Sequence, residues 1–156
     1  MKILVFSDSH GAYSKMERAL ASHPDAEMVF FLGDGLREAD KLFDEYKIPH
    51  VAVRGNCDLA CSFGGESYLD EQTVDLGDIR VFACHGHKYG VKSSELGVWL
   101  RGREKEADLV LFGHTHDPYE RCYEGVRLFN PGSIGQGSYG VIYVEKKGIV
   151  ASHGRV

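Results

Sequence analysis

Short apolar runs alternate with longer amphipathic stretches through the first two thirds of the chain. Five runs are rich in β-branched or aromatic residues and typical of buried strands, namely residues 3–6, 28–32, 51–53, 81–84 and 109–112. Apolar residues at helical spacing predict three helices, over residues 14–22, 36–46 and 94–106. The chain is therefore expected to open with a β-α-β-α-β order.

The remaining segments are predicted to pair as antiparallel hairpins. Turn residues separate strands 67–76 from 79–84, 119–124 from 126–129, and 139–145 from 149–153. Together with the opening segments, these hairpins predict an α/β protein with two packed mixed sheets and helices outside. No linker, low-complexity segment or repeat interrupts the pattern, so residues 1–156 are predicted to form one domain.

Composition and charge exclude several classes of partner. The 18 Lys and Arg against 23 Asp and Glu give a formal net charge of −5, which disfavours a duplex nucleic-acid partner because such binders need a basic face. No apolar run approaches the roughly 20 residues of a membrane helix, and Ser7-Asp8 interrupts the apolar start too early for a signal peptide. The four cysteines form no C-x-x-C pair. We expect a cytoplasmic protein with reduced thiols and no membrane partner.

Each of the five predicted strands is followed by a glycine-containing loop that carries side chains able to bind a metal. Taken singly, these residues have ordinary explanations, because an Asp can cap a helix and a His can be a hydrogen-bonded loop residue. Ligand sites of open α/β sheets lie at the carboxyl ends of strands, so the five loops are expected to converge. The side chains concerned are Asp8, His10, Asp34, Asn56, His85, His87, His114 and His116.

This donor set indicates two metal ions rather than one. Carboxylate, imidazole and amide donors suit divalent ions, with Mn²⁺ the first expectation and Fe²⁺, Zn²⁺, Ni²⁺, Co²⁺ or Mg²⁺ as alternatives. Without His87, the remaining seven donors exceed one tetrahedral site and fit two ions, about 3.5–4 Å apart, that share a carboxylate. Two such ions attract phosphate locally even in an acidic protein.

The motifs resemble those of the calcineurin-like metallophosphoesterase superfamily. They occur in the family's order as Asp8-x-His10-Gly11, Gly33-Asp34, Gly55-Asn56-x-Asp58, His85 and Gly113-His114-x-His116. A later Asn130-Pro131-Gly132-Ser133 resembles a landmark of the small prokaryotic phosphodiesterases without a cap domain. The resemblance implies a four-layer α/β/β/α sandwich and hydrolysis of small phosphodiesters. By analogy with relatives, a homodimer is expected.

The resemblance also implies a role for each motif residue. Asp8, His10 and His116 would hold one ion, Asp34 would bridge, and a hydroxide between the ions would attack phosphorus. The second ion would be held by Asn56, His85 and His114.

Departures from the family pattern bear on proton donation to the leaving group. Many members carry a His after the motif Asn, whereas this chain has Cys57, a weak substitute for imidazolium that the small phosphodiesterases tolerate. Simple packing is the alternative role for Cys57. His87 is a second candidate donor if its loop turns the ring toward substrate, but an extended loop would point it away.

Other departures concern the surroundings of the motifs. Asp58 lacks the His that it usually orients, so it is expected to hold a ligand imidazole or Arg54. Arg54 itself is expected to contact phosphate or to form a surface ion pair. Ala12 and Gln136 replace residues that often contact phosphate in related chains.

Two other functions remain open at this stage. A eukaryotic branch of the fold serves as a scaffold in membrane-coat assembly, and loss of the first-motif histidine would favour that role, but His10 is present. A nuclease or phosphomonoesterase is the other alternative. A nuclease would need a basic track, for which Arg101, Arg103 and Lys105 are the candidates, although a solvated helix face explains them equally.

Overall fold

The structure, a computed structural model, describes residues 1–58, 68–146 and 148–156. Within these ranges the chain forms the helices α1 (Tyr13–Ala21), α2 (Leu36–Tyr46) and α3 (Leu96–Glu104), with short 3₁₀ turns at His87–Tyr89 and Ile134–Gln136. The strands are β1 (Lys2–Phe6), β2 (Met28–Phe31), β3 (His50–Ala52), β4 (Glu71–Leu76), β5 (Ile79–Cys84), β6 (Leu109–Leu111), β7 (Pro118–Tyr123), β8 (Val126–Pro131), β9 (Ser138–Glu145) and β10 (Gly148–Arg155).

The strands form two mixed five-stranded sheets. The first sheet has the order β10-β9-β1-β2-β3. Its strands β1, β2 and β3 run parallel, and β9 pairs antiparallel with both β1 and β10. The second has the order β4-β5-β6-β8-β7, in which β5, β6 and β8 run parallel between two antiparallel edge strands. Each sheet therefore presents the carboxyl ends of three neighbouring parallel strands along one edge.

Alternating side chains divide the interior into three apolar layers. In β1, Leu4 and Phe6 pack toward α1 and α2, whereas Ile3 and Val5 pack between the sheets. In the second sheet, residues of β5 and β6 alternate in the same way between the middle layer and a third cluster that includes Trp99 of α3. The predicted two-sheet α/β sandwich, with its four layers, is confirmed, and Trp99 is a core residue as its position in the helix suggests.

Most elements match the sequence-based expectation, with small differences at their ends. Helix α3 begins at Leu96 rather than at residue 94, and residue 67 of the first predicted hairpin lies outside the described residues, as does Lys147 in the last turn. Among the described cysteines, Cys84 is buried and Cys57 and Cys122 are exposed. No helix in the described ranges is long and apolar enough to cross a membrane.

Candidate metal centre

The carboxyl ends of the parallel strands of both sheets meet and bring most of the predicted ligands together. Asp8 and His10 follow β1, and Asp34 follows β2 in the first sheet. On the second sheet, His85 follows β5, and the pair His114 and His116 follows β6. Two groups of side chains there offer ligand atoms within 4.8 Å of one another: Asp8, His10 and His116, and Asp34, His85 and His114.

The first group joins the β1 loop to the β6 loop. His116 Nε2 lies 3.2 Å from Asp8 Oδ1, and His10 Nε2 lies 3.9 Å from the same oxygen. The two imidazole Nε2 atoms are 3.3 Å apart. Asp8 is fully buried, whereas the two histidine side chains are 41% and 36% exposed, so this group faces solvent on its imidazole side.

The second group is more deeply buried. His85 Nε2 lies 3.3 Å from Asp34 Oδ2 and 3.2 Å from His114 Nδ1. The same His85 nitrogen is 3.9 Å from Asp8 Oδ1, which places the two groups side by side. Two adjacent donor groups are the arrangement that the sequence pattern predicts for a pair of ions.

A buried carboxylate oxygen tests whether this cluster fits a cation. Asp8 Oδ1 is inaccessible to solvent and has no hydrogen-bond partner among the described residues. A buried carboxylate oxygen left unsatisfied is costly, and buried charges are normally paired or bound to metal. Imidazole nitrogens within 3.2–3.9 Å of this oxygen complete a donor set of nitrogen and oxygen atoms that suits divalent transition ions. The residues therefore fit a metal cation.

Burial and neighbouring charges shift the pKa values of the second group, Asp34, His85 and His114. Burial opposes the charged form of Asp34, but the hydrogen bond and charge of His85 outweigh it and hold the pKa of Asp34 well below its ordinary range. Burial also lowers the pKa of His85, yet Asp34 and Asp8 outweigh it, so that pKa is raised. For His114, burial is the largest cause and the charges of His85 and Lys92 add to it, so its pKa is lowered.

The backbone of the candidate ligands is strained. Five of them adopt a left-handed conformation, with φ of 53° at Asp8, 43° at His10, 61° at Asp34, 69° at His114 and 66° at His116. This conformation costs a non-glycine residue about 1–2 kcal/mol. Strain of this kind persists only where surrounding contacts enforce it, and it concentrates at functional sites.

Two glycines allow the close packing of these loops. A methyl group at Gly55 would overlap Asp34 Oδ1, and one at Gly113 would overlap Ser7 Oγ and approach Asp8 Oδ2. The motif glycines at these two positions are therefore required by the close approach of the backbone to a carboxylate.

Hydrogen bonds from outside the donor groups orient them. His85 Nδ1 donates to the Leu32 carbonyl over 2.7 Å, which leaves Nε2 facing Asp34. Asn130 Nδ2 donates to the Gly113 carbonyl and to Thr115 Oγ1, each over 3.0 Å, and so fixes the β6 loop. Ser133 Oγ donates to the Asp8 carbonyl over 2.8 Å. Sequence reasoning noted the Asn-Pro-Gly-Ser motif but gave it no role; its polar side chains are fully buried, which the sequence does not reveal.

The structure corrects the expectation for Asp58 and shows one of the two contacts expected for Arg54. The Asp58 carboxylate accepts four backbone N–H groups, from Asp34 (2.8 Å), Gly35 (2.9 Å), Leu36 (3.0 Å) and Gly55 (2.8 Å), and not an imidazole or Arg54. It therefore ties the loop after β3 to the loop that carries Asp34. Arg54 Nη2 and Nε donate to one oxygen of Asp70, over 3.0 and 3.1 Å. Arg54 thus forms the ion pair that was one of its two expected contacts.

Asn56 and Cys57 lie at the rim of the cluster. The amide of Asn56 is exposed and donates a long hydrogen bond of 3.5 Å to Cys57 Sγ. The Cys57 backbone donates to Asp34 Oδ1 over 2.8 Å, and its sulfur shares a potential ligand group with His10 and Asp34. Burial, with Asp34 beside it, raises the pKa of the Cys57 thiol. Cys57 is thus part of the site, whereas no described contact links the Asn56 amide to His85 or His114.

His87 turns toward the cluster. Gly86, with φ of 106°, begins a 3₁₀ turn, and the His87 ring centroid lies 5.4 Å from that of His85 and 6.1 Å from that of His114. Its Nδ1 is buried without a hydrogen-bond partner in the described part of the chain. Of the two loop geometries considered from the sequence, the structure has the turned one.

Comparison with known families agrees with this geometry. The family profile described as the calcineurin-like phosphoesterase superfamily domain matches residues 1–147. A probable metallophosphoesterase of Bacillus subtilis, YsnB, is 33% identical over 134 residues, which cover 86% of this chain and 75% of that protein. The phosphodiesterase YfcE of Escherichia coli K12 is 29% identical over 161 aligned positions, covering 86% of this chain and 79% of that protein.

Solved structures share the fold. A conserved protein from Streptococcus pneumoniae TIGR4, described as a predicted phosphoesterase, superposes with a TM-score of 0.83 at 24% identity, covering 99% of this chain and 88% of that one. Vacuolar Protein Sorting 29 from Cryptosporidium parvum superposes with a TM-score of 0.79 at 15% identity, covering 99% and 97%. At these identities, the two likenesses show a common fold and not a common function.

Proposed function

The chain belongs to the calcineurin-like phosphoesterase superfamily, and from that premise we propose that it is a phosphodiesterase that hydrolyses small phosphodiesters with two divalent metal ions. The observation that carries the proposal is the buried Asp8 Oδ1 between two adjacent donor groups. A single ion would use one of these groups and leave the other without a function. The YfcE relative, named a phosphodiesterase, supports the same class of substrate.

The proposed ligands follow from the two donor groups. One ion would be held by Asp8, His10 and His116, and Asp34 would lie between the ions. The other would be held by His85 and His114, with Asn56 as a further ligand once its amide turns from Cys57. When bound, two such ions supply a hydroxide nucleophile at neutral pH and neutralise the phosphoryl oxygens, and Mn²⁺ is the first expectation for both.

The chain's own residues would position substrate and leaving group. His87, whose ring lies 6.1 Å from that of His114, is placed to donate a hydrogen bond to a phosphoryl or leaving-group oxygen. Cys57 lies beside His10 and Asp34. Its thiol is a weak proton donor, so we propose that the enzyme acts on diesters with good leaving groups and only slowly on monoesters.

Metal dependence is the direct test of this proposal. Protein stripped with a chelator and reloaded with Mn²⁺, Ni²⁺, Zn²⁺ or Mg²⁺ is expected to hydrolyse bis(4-nitrophenyl) phosphate, with activity reaching its plateau at two ions per chain by elemental analysis. The stripped protein is the control. A plateau at one ion, or no hydrolysis with any of the four metals, would contradict the dinuclear proposal.

Cys57→His is expected to raise the rate on glycerol 2-phosphate, measured as released inorganic phosphate, at least about tenfold, because an imidazolium protonates a poor leaving group far better than a thiol. Cys57→Ser is the matched control and is expected to leave the monoesterase rate within a factor of about two. Rates on the diester report whether the site remains intact. Unchanged monoesterase activity in the histidine variant, with the diester rate preserved, would assign Cys57 to packing.

The basic residues of α3 do not support a nuclease. Arg101 pairs with Glu71 and Glu104, and Arg103 pairs with Glu124. Lys105 lies 3.7 Å from Glu71. Their charges are thus balanced by carboxylates and form no track for a nucleic-acid backbone.

A protein-binding scaffold is the second candidate function. The observation that favours it is a groove between α3 and β7, in which Leu96 and Tyr123 are 57% and 45% exposed beside Trp99, and which Glu95 and Arg121 also line. The likeness of fold to Vacuolar Protein Sorting 29 is compatible with that role. Absence of hydrolysis with every metal in the experiment above would favour the scaffold.

A further inference from the structure

A cavity of about 270 Å³ opens from the donor groups on the side of the first sheet. His10, Asp34 and Cys57 form its inner wall, and Arg37 and Glu38 of α2 line the rest together with Asp58 and two glycines. Its volume equals that of about nine molecules of liquid water at ~30 Å³ each, so it holds more than one water ligand. A group bonded to a phosphoryl centre at the ions would have room to extend into it.

The charged side chains of this cavity differ in whether they already have partners. The Asp58 carboxylate is occupied by four backbone N–H groups, and Glu38 Oε2 accepts a hydrogen bond from Ser9 Oγ over 3.1 Å. Arg37 is exposed and forms no ion pair with any residue that the structure describes. The Ser9 hydroxyl leaves the negative charge of Glu38 in place, and the Arg37 guanidinium is the group of this lining that is suited to bidentate binding of phosphate.

The place of Arg37 in its helix is unfavourable for stability. It is the second residue of α2, where the helix macrodipole disfavours a cation. Neither an ion pair nor helix stability thus accounts for a positive charge at this position. The guanidinium raises the potential at its end of the cavity, whereas the Asp58 carboxylate already occupies the N–H groups at the start of α2.

We propose that this cavity binds a second phosphate group of the substrate through Arg37, so that the enzyme prefers phosphodiesters that carry an additional phosphate. Arg37 then determines specificity and takes no part in the chemistry at the hydrolysed bond. The inference rests on the proposed phosphodiesterase function, because it assumes that the reacting phosphoryl group lies at the two donor groups.

A second cavity is the alternative location for the additional phosphate group. It has a volume of about 480 Å³ and lies on the side of the second sheet, where Thr115 and Asp117 of the β6 loop face Lys92. Thr115 lies between His114 and His116 in the chain and lines this cavity together with Lys92, so the cavity borders the cluster. Glu95 and Asp117 line this cavity, as Asp34, Glu38 and Asp58 line the first one, so the two cavities each hold one Lys or Arg among carboxylates. Lys92 is therefore the matched control for Arg37.

Two chromogenic diesters that differ by one phosphate test the proposal on the Mn²⁺-loaded protein. They are thymidine 5′-(4-nitrophenyl phosphate) and the same compound phosphorylated on its 3′ oxygen. The wild type is expected to show a kcat/KM about tenfold or more higher for the 3′-phosphorylated compound, as a charge-assisted contact predicts. Arg37→Met is expected to abolish the preference and to leave kcat/KM for the other diester within about twofold. Lys92→Met is expected to retain the preference.

The outcomes separate this inference from the proposed function. A preference that survives Arg37→Met, or one that disappears in Lys92→Met instead, would overturn the assignment of Arg37. If neither diester is hydrolysed, the phosphodiesterase proposal fails. Calorimetry with thymidine 3′,5′-bisphosphate and thymidine 5′-monophosphate then decides the binding site separately, since an Arg37-dependent advantage of about tenfold for the bisphosphate is expected. Equal affinities would reject the second phosphate site.

Discussion

Asp8→Asn is expected to lower kcat/KM for a phosphodiester by about 10³-fold or more, because a ligand lost from a metal site removes several kcal/mol of transition-state stabilisation. The same substitution is expected to change the stability of the metal-free protein by less than about 1 kcal/mol. Asp8 Oδ2 accepts hydrogen bonds from Ser7 Oγ and from the His114 backbone over 3.0 Å, and an amide oxygen retains both. The new amide group would stand 3.2 Å from His116 Nε2, which can accept from it.

The effect of metal on stability separates a ligand from a loop residue. A ligand that binds only the folded state stabilises it by about 2.7 kcal/mol at a concentration of 100 times Kd. The wild type is therefore expected to melt at a higher temperature in excess Mn²⁺, and Asp8→Asn is expected to lose most of that increase. The control is Asp44→Asn, which changes a side chain that is 84% exposed on α2. This variant is expected to keep the full rise in melting temperature in excess Mn²⁺. A full metal-induced shift in Asp8→Asn would show that Asp8 serves only its loop.

Sequence reasoning predicted that the candidate ligands converge because each of them follows a predicted strand, and parallel strands end at one edge of a sheet. Each predicted strand ends at a glycine-bearing loop, and parallel neighbours bring those ends to one edge, as Asp8 beside Gly33 illustrates with a backbone hydrogen bond of 2.9 Å. Glycines such as Gly113 are visible in the sequence although their steric reason is not. The family motifs then supplied residue roles that a hydrophobic pattern does not contain.

What the sequence could not reveal depends on long-range geometry. The left-handed φ of His114 and His116 is enforced by surrounding contacts, such as the Asn130 amide that holds their loop, and no local propensity predicts it. The turn that brings the His87 ring to the cluster needed only Gly86, yet an extended loop was equally compatible with the residues. The partners of Asp58 arise because β3 pairs with β2, which places the loop after β3 beside the backbone of the Asp34 loop.

Asp58→Ala is expected to lower the free energy of unfolding by about 3 kcal/mol, because four backbone N–H groups lose a charged acceptor. For a chain of this size the melting temperature should fall by about 10 °C. Asp58→Asn keeps one acceptor oxygen and should lose less stability than Asp58→Ala. Asp78→Ala, which removes an exposed carboxylate from the β4–β5 turn, is expected to change stability by no more than about 0.5 kcal/mol.

The Asp58 substitutions also distinguish backbone support from the two contacts that sequence reasoning assigned to this residue. Arg54 pairs with Asp70, so Asp58→Ala and Arg54→Ala are expected to be additive within about 0.5 kcal/mol. A coupling above about 1 kcal/mol would restore the Asp58–Arg54 interaction. Because Asp58 fixes the backbone of Asp34, its loss is expected to weaken metal affinity about 10–100-fold, and excess Mn²⁺ should recover much of the activity. An activity loss that metal does not relieve would contradict this role and place Asp58 in contact with the reacting groups.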